Sequence, residues 1–143
     1  MDNKIKLTFF SVSQNESFAR SVAGLFALRL NPSLAELSDI KTAVSEAVTN
    51  SIVHAYPDKI GEITMECEIV GHCLHINIFD EGVGIENLEQ ALEPFYTTKE
   101  NEERSGMGFT IMKSFMTDVK VESKKGTGTK IYMVKNLLTD VAM

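Results

Sequence analysis

Two periodicities of hydrophobic and polar positions divide the chain into predicted strands and helices. Alternation at every second residue is typical of half-buried strands. It predicts strands over residues 4–12, 60–70, 73–79, 119–123 and 129–134. The second and third strands flank a turn at Gly71-His72, and the last two form a hairpin through residues 124–128.

Apolar residues at spacings of three and four predict two long helices. The first begins after Ser13 and continues to about residue 30, and the second begins after Ser33 and continues to about residue 55. In both, a glutamate follows the serine by three residues (Glu16 and Glu36), which is the signature of a capping box. A shorter helix is predicted over residues 108–116, and a loop with room for a short helix over 85–92.

The order of these elements predicts the fold class. Strand, helix, helix, strand, strand, helix, strand, strand is typical of an α+β protein, here a two-layer α/β sandwich with a mostly antiparallel sheet and helices on one face. No repeat or linker interrupts the order, so residues 1–143 are interpreted as a single domain, with residues 136–143 unassigned. The polar, glycine-containing stretch 94–107 is predicted to be a mobile loop.

Composition and charge narrow the classes of function. The chain has 143 residues, of which 43% are hydrophobic and 24% charged, as in an ordinary soluble globular domain. Its net charge of −6 disfavours direct binding to nucleic acid, which needs a basic surface. The sequence contains neither a signal segment nor an apolar run near the ~20 residues that span a bilayer. With only two cysteines, we expect a cytoplasmic protein with reduced thiols and no membrane association.

A polar row on the second helix is the first candidate for chemistry. Glu46, Asn50 and His54 are spaced by four residues, so they lie along one side of the helix beside its apolar face. At that border the three side chains can be half-buried. A polar edge on an amphipathic helix would give the same pattern.

The segment Asp80-Glu81-Gly82-Val83-Gly84 follows an apolar strand and is the second candidate. Glycines allow a backbone to approach a ligand closely. A carboxylate only accepts hydrogen bonds, so Asp80 would match the amino group at C6 of adenine and reject the oxo group of guanine. An ordinary turn with left-handed glycines would give the same pattern.

Two later glycine pairs complete the set. Gly106-Met107-Gly108 precedes a predicted helix, whose N-terminus would present free N–H groups and a positive dipole to phosphate. Gly126-Thr127-Gly128 precedes the last strand and by itself reads as a hairpin turn. Each pair is weak evidence alone, since a loop-to-helix junction or a turn explains it.

Taken together and in this order, the four motifs resemble the ATP-binding fold shared by gyrase B, Hsp90, histidine kinases and MutL (the GHKL or Bergerat fold). The resemblance covers roughly residues 5–135. Three stretches are similar to the anti-sigma factor serine kinases, and within them to the branch from endospore formers that acts on a sporulation sigma factor of the sigma F type. These stretches are Glu46-Ala47-Val48-Thr49-Asn50, Asp80 to Ile85, and Thr97-Thr98-Lys99 with Glu103 to Met112.

The resemblance implies an ATP or ADP site with Mg²⁺. Asn50 would hold the Mg²⁺ that bridges the phosphates, and Asp80 would take the adenine amino group. Gly82 and Gly84 would let adenine pack against backbone, and Thr129 would support the adenine side. The remaining nucleotide contacts would come from a lid over about residues 95–108, with Thr97, Thr98, Lys99, Ser105, Gly106, Met107, Gly108 and Phe109.

The resemblance also implies catalysis and partners. Glu46 matches the catalytic glutamate, one turn before the Mg²⁺ ligand, where a base could take a proton from an attacking hydroxyl. Arg104 beside the glycine loop is a second catalytic candidate. The implied function is to hold a sporulation sigma factor inactive and, with Mg-ATP, to phosphorylate a serine of an anti-anti-sigma factor. We expect a homodimer, with residues 9–19 and the first helix as its surface.

Three alternatives remain open at this point. The protein could be a nucleotide-dependent switch that sequesters the sigma factor with little kinase activity. It could act on a general-stress sigma factor, or it could be an ATPase or histidine kinase fragment. A histidine kinase needs a separate helical domain with the phosphorylated histidine, for which this chain has no room.

Overall fold

The computed structural model describes residues 2–85, 87–93 and 107–137, and in the short helix near residue 90 it leaves out the side chain of residue 89. These residues form five strands, four α-helices and one 3-10 turn. The strands are β1 (Asn3–Phe10), β2 (Glu62–Val70), β3 (Cys73–Asp80), β4 (Asp118–Lys124) and β5 (Gly128–Asn136). The helices are α1 (Gln14–Ala27), α2 (Leu34–His54), α3 (Leu88–Ala91) and α4 (Gly108–Phe115), and the 3-10 turn is Leu28–Leu30.

The five strands form one sheet in the order β1-β2-β3-β5-β4, and every neighbouring pair is antiparallel. The register places Asp80, the last residue of β3, opposite Ile63 on one side and Thr129 on the other. Asp80 therefore lies at the end of a central strand, where a side chain is enclosed by neighbours on both sides.

The core lies between one face of the sheet and the helices. Alternate residues of β2 and β3 are fully or almost fully buried, and they pack with the apolar faces of α1, α2 and α4. Opposite residues of the same strands, such as Glu66 and Asn77, face outward and are only partly buried. The predicted two-layer α+β sandwich with helices on one face is confirmed.

The two predicted capping boxes have different outcomes. At α2, the Ser33 side chain accepts from the Glu36 N–H (3.0 Å) and Glu36 accepts from the Ser33 N–H (2.9 Å), as predicted. At α1 the prediction was wrong, because Ser13 has helical dihedral angles and makes no side-chain cap. Glu16 instead contacts Arg20 one turn later, at 3.2 Å, so the charged partner on the helix replaced the reciprocal cap.

The end of the last strand extends further than the predicted 129–134. Lys135 and Asn136 belong to β5, and Leu137 is 1% exposed and donates its N–H to the His72 carbonyl at 2.9 Å. Lys135 reaches back to the Asp39 carboxylate (3.2 Å) and to the Phe115 carbonyl at the end of α4. Lys135 therefore anchors the helix layer, and Leu137, in the segment left unassigned by sequence, joins the core.

Two sequence predictions concern segments that the structure does not describe in full. The predicted loop 94–107 lies outside the described residues except for Met107, and so does the end of the chain, residues 138–143. Within the described part of the chain, no helix has the length and apolar character needed to cross a membrane.

Candidate functional site

Helix α2 brings the polar row of the sequence analysis next to the sheet. Glu46, Asn50 and His54 are all half-buried, as their place beside the apolar face predicted. The adjacent row, Ala47 and Ser51, is buried against the core. Ser51 is the residue directly after Asn50, so its contacts show where this part of the helix lies relative to the sheet.

The Asp80 carboxylate is 6% exposed and receives hydrogen bonds from three separate elements. The Ser51 hydroxyl of α2 donates to Oδ2 at 2.8 Å. The backbone N–H groups of Gly82 and Thr129 both donate to Oδ1, at 3.0 Å and 3.2 Å. A helix, a turn and a strand therefore converge on one side chain.

Burial and hydrogen bonding act in opposite directions on this carboxylate. Removal from water raises the pKa of Asp80 above its ordinary value, because the charged form loses hydration. The donors from Gly82, Ser51 and Thr129 each lower the pKa again, and burial remains the larger effect. The three donors are what allows a buried carboxylate to be held as an anion.

Gly82 brings the turn after Asp80 against the end of α2. A Cβ atom at Gly82 would lie 2.2 Å from the Ala55 carbonyl oxygen, a distance that real Cβ atoms do not show. The Val83 N–H donates to the same carbonyl at 2.9 Å. Glycine is required here by the protein's own backbone, and a contact between Gly82 and adenine stays a prediction.

Three further glycines join this turn to the β4–β5 hairpin. Gly84 has φ +74°, and a Cβ there would lie 2.1 Å from the Lys124 carbonyl oxygen. Gly128 has φ +123°, and a Cβ there would lie 2.1 Å from the Asp80 carbonyl oxygen. The Gly126 N–H donates to the Val83 carbonyl at 2.7 Å. The glycine pairs that looked separate in the sequence are thus packed together around Asp80.

Thr129 supports the same carboxylate from the last strand. It is 5% exposed, and its hydroxyl lies 2.7 Å from the Ser123 hydroxyl on β4. The Ser123 oxygen also accepts the Ile85 N–H at 2.8 Å. These bonds tie the start of the segment after Gly84 to the hairpin.

Tyr56, just past the end of α2, bonds to the start of β2 and to the residue directly after β3. Its hydroxyl donates to the Glu62 carbonyl at 2.8 Å and accepts the Glu81 N–H at 2.9 Å. Burial raises the pKa of Tyr56 above its ordinary value, so the phenol stays neutral and can both donate and accept.

The N-terminus of α4 carries the described part of the predicted phosphate loop. Met107 is the N-cap residue and provides no side-chain cap for the first helical turn. Met107 and Gly108 are half-buried, whereas Phe109 is 8% exposed and belongs to the core. An uncapped first turn is suited to bind an anion through its N–H groups. The predicted lid residues Thr97, Thr98, Lys99, Arg104, Ser105 and Gly106 lie outside the described residues.

Sequence reasoning missed Ser51, Tyr56 and Ser123. A signal existed for Ser51, because it is the one hydroxyl on the α2 row Ala47, Ser51, Ala55, which is otherwise apolar. Tyr56 and Ser123 lie outside any motif. Only the tertiary structure brings them to Asp80 and its neighbouring turn.

One protein family and several relatives match nearly the whole chain. The family described as "Histidine kinase-like ATPase domain" matches residues 12–135. The anti-sigma F factor of Clostridium acetobutylicum is 54% identical over 135 residues, which are 94% of this chain and 94% of that protein. The anti-sigma F factor of Thermoanaerobacter sp. is 52% identical over 138 residues, 96% of each chain.

Solved structures share the fold at low identity. The RsbU and RsbW domains of Rv1364c from Mycobacterium tuberculosis superimpose with a TM-score of 0.68 at 14% identity, over 94% of this chain and 32% of that one. The mycobacterial sensor histidine kinase MprB gives a TM-score of 0.57 at 17% identity, over 94% and 97% of the two chains. With relatives above half identical along nearly the whole length, the chain belongs to the anti-sigma F factors, which carry a histidine kinase-like ATPase domain.

Proposed function

We propose that this anti-sigma factor binds Mg-ATP, holds a sporulation sigma factor of the sigma F type inactive, and phosphorylates a serine of its anti-anti-sigma partner. The observation that carries the nucleotide part is the Asp80 carboxylate with its three donors. The partners are proposed from the names of the relatives, whose full length this chain matches closely.

The hydrogen bonds of Asp80 support recognition of adenine. A carboxylate has about four acceptor positions and no donor. Gly82 and Thr129 occupy two on Oδ1, and Ser51 occupies one on Oδ2. Within the described part of the chain, one acceptor position on Oδ2 remains, which suits a single amino hydrogen such as that at C6 of adenine. A 6-oxo base would bring a second acceptor against this oxygen and would be rejected.

Asn50 and α4 support the phosphate end of the site. Asn50 directly precedes Ser51, whose hydroxyl bonds to Asp80. The proposed metal ligand and the proposed adenine acceptor are therefore connected through two consecutive residues of α2. The amide oxygen of Asn50 is a ligand type that Mg²⁺ accepts beside phosphate oxygens and water. Bound Mg²⁺ would neutralise phosphate charge. The first turn of α4, at Met107, Gly108 and Phe109, would add N–H donors.

Glu46 supports phosphotransfer in addition to binding. It lies one helical turn before Asn50 and is half-buried on the same side of α2. From there its carboxylate would accept the proton of the attacking serine hydroxyl. We propose that Arg104 and Lys99 stabilise charge on the transferred group. The proposed lid, with Thr97, Thr98, Ser105 and Gly106, would close over the phosphates.

Exposed apolar residues on the first strand and helix support a homodimer of single-domain chains. Phe10 is 59% exposed, Phe18 57% and Leu25 68%. Phe18 and Leu25 are seven residues apart on α1 and so share one face of the helix. Large exposed apolar groups on one element are typical of an interaction surface.

The deciding experiment uses the full chain, Mg-ATP and the candidate anti-anti-sigma protein, followed by intact mass of that partner. We expect one phosphate added, and none on a partner whose target serine is changed to alanine. A second arm captures the sigma factor in ATP and in ADP, and we expect stronger capture in ATP. Sigma capture without any phosphate on the partner would reject the kinase and leave a sequestering switch. Steady phosphate release without a partner would point to an ATPase.

A further inference from the structure

The pairing of β2 with β3 stops at Asp80, directly before the turn that contains Gly82. The Tyr56 hydroxyl lies where the next backbone pair would form. Ile63 faces Asp80 in the last pair of the ladder. In the same register the next facing pair is Glu62 and Glu81. Their backbone groups do not pair with each other, because the Tyr56 hydroxyl lies between them, donating to the Glu62 carbonyl and accepting from the Glu81 N–H.

We propose that Tyr56 is a positioning residue for base recognition: its hydroxyl separates β3 from β2 directly after Asp80 and thereby directs the turn that holds the Asp80 carboxylate. This inference rests on the proposed adenine site at Asp80. The Tyr56 hydroxyl bonds to backbone groups of Glu62 and Glu81, so its influence on Asp80 is transmitted through the backbone of Glu81.

The path from Tyr56 to Asp80 runs through one residue, Glu81. Glu81 is the residue between Asp80 and Gly82, and the Gly82 N–H is one of the three donors to the carboxylate. If β3 paired with β2 for one more residue, Glu81 would shift toward Glu62. Gly82 would then leave the Ala55 carbonyl, against which it packs with no room for a Cβ. The donor set of Asp80 therefore depends on the ladder ending where it does.

The chain makes room for the tyrosine ring with a glycine directly before β2. A Cβ at Gly61 would lie 2.4 Å from ring carbons of Tyr56. Gly61 also exchanges backbone and side-chain hydrogen bonds with Ser11, at 2.9 Å and 3.0 Å, so it has little freedom to move away. The ring is thus held from one side by Gly61, while its hydroxyl is held by two backbone groups.

The test measures base preference, which a general loss of stability would not change. Binding of ATP and of purine riboside triphosphate, which lacks the 6-amino group, is measured by calorimetry with Mg²⁺ on the full chain. We expect the unchanged protein to prefer ATP about tenfold, the value of a hydrogen bond to a charged group. Tyr56→Phe should reduce that preference to about twofold or less, mainly by weakening ATP.

Two further variants make the test decisive. Gly61→Ala should lower the preference in the same way, because it displaces the ring while keeping the hydroxyl. Tyr132→Phe is the matched control: it removes a phenol that contacts Glu122 at 3.4 Å on the outer face, and it should leave both affinities unchanged. Thermal unfolding of each variant shows that it is folded.

The outcomes separate this inference from the proposed function. If Tyr56→Phe and Gly61→Ala keep the full preference, or weaken both nucleotides by the same factor, the role of Tyr56 is wrong while the adenine site stands. If the unchanged protein binds both nucleotides equally, Asp80 does not read the amino group, and the proposal for Tyr56 fails with it.

Discussion

The Ser51 hydroxyl donates a 2.8 Å hydrogen bond to the Asp80 carboxylate, and both groups are almost completely buried. This bond joins α2 to the end of β3 across 29 residues of sequence. It couples the proposed metal ligand Asn50, one residue before Ser51, to the proposed adenine acceptor.

Asp80→Asn should change which base the protein prefers. The amide would present N–H donors where the carboxylate had a free acceptor, so ATP affinity should fall about 10- to 100-fold. The affinity for inosine triphosphate, whose 6-oxo group accepts a hydrogen bond, should fall less than the affinity for ATP or should rise. The measurement is calorimetric binding of both nucleotides, with the exposed Asp58→Asn as control. An unchanged ratio of the two affinities would contradict the assignment.

Ser51→Ala should raise the pKa of Asp80 further, because a donor that lowers it is lost. ATP affinity should then begin to fall at a higher pH than in the unchanged protein, as the carboxylate becomes protonated. Carboxyl carbon NMR shifts followed against pH would report the pKa directly. Ser38→Ala, an exposed site on the same helix, should leave it unchanged.

The same substitution makes a prediction for stability with a defined sign. The pKa of Asp80 is raised in the folded state, so folding favours the protonated carboxyl. The stabilisation that comes from this protonated form is present at low pH and is lost as the pH rises through the folded pKa. The stability deficit of Ser51→Ala should therefore grow with rising pH and reach about 1–3 kcal/mol when Asp80 is ionised. Urea unfolding at several pH values tests this, and a deficit that shrinks toward neutral pH would contradict it.

Glu46→Gln should separate binding from catalysis. Removing the proposed base should slow serine phosphorylation about 100-fold or more, while ATP binding is largely kept. The rate is read from the intact mass of the partner over time. Glu66→Gln makes the same chemical change on the outer face of the sheet and should have no effect. An unchanged rate would remove Glu46 from the mechanism.

Gly128→Ala should destabilise the fold far more than Gly71→Ala. Both glycines have positive φ, but a Cβ at Gly128 would lie 2.1 Å from the Asp80 carbonyl oxygen, whereas Gly71 has nothing within 4 Å. We expect a loss of about 3 kcal/mol or more in unfolding free energy for Gly128→Ala against about 1 kcal/mol for Gly71→Ala. Urea unfolding measures the loss of unfolding free energy in both variants. Equal losses would show that the positive φ alone, and not the contact with Asp80, sets the cost of the substitution.

Leu25→Glu should convert the proposed dimer to a monomer, because a charge would be buried in the apolar contact. Light scattering on the purified chain gives the mass directly. Val70→Glu is the matched control, since Val70 is 46% exposed at the end of β2, on the face of the sheet opposite the helices. A dimer that survives Leu25→Glu would move the interface elsewhere.

Local sequence patterns were sufficient to predict the helices, the strands and the fold class. Alternation placed β2 and β3 to within two residues, because one face of each strand is buried and the other is not. The capping box at Ser33 was right, since it depends on residues within one turn, whereas the same pattern at Ser13 was overridden by a contact between Glu16 and Arg20.

By itself the sequence determined the candidates for chemistry: the row Glu46, Asn50, His54, the carboxylate of Asp80 and the glycine pairs. Only the tertiary structure decided that Ser51, Gly82 and Thr129 share that carboxylate and that the Tyr56 hydroxyl lies between Glu62 and Glu81. The physical reason is range. Periodicity and capping act over a few residues, whereas the donors of Asp80 come from segments up to 49 residues apart and are brought together only by packing.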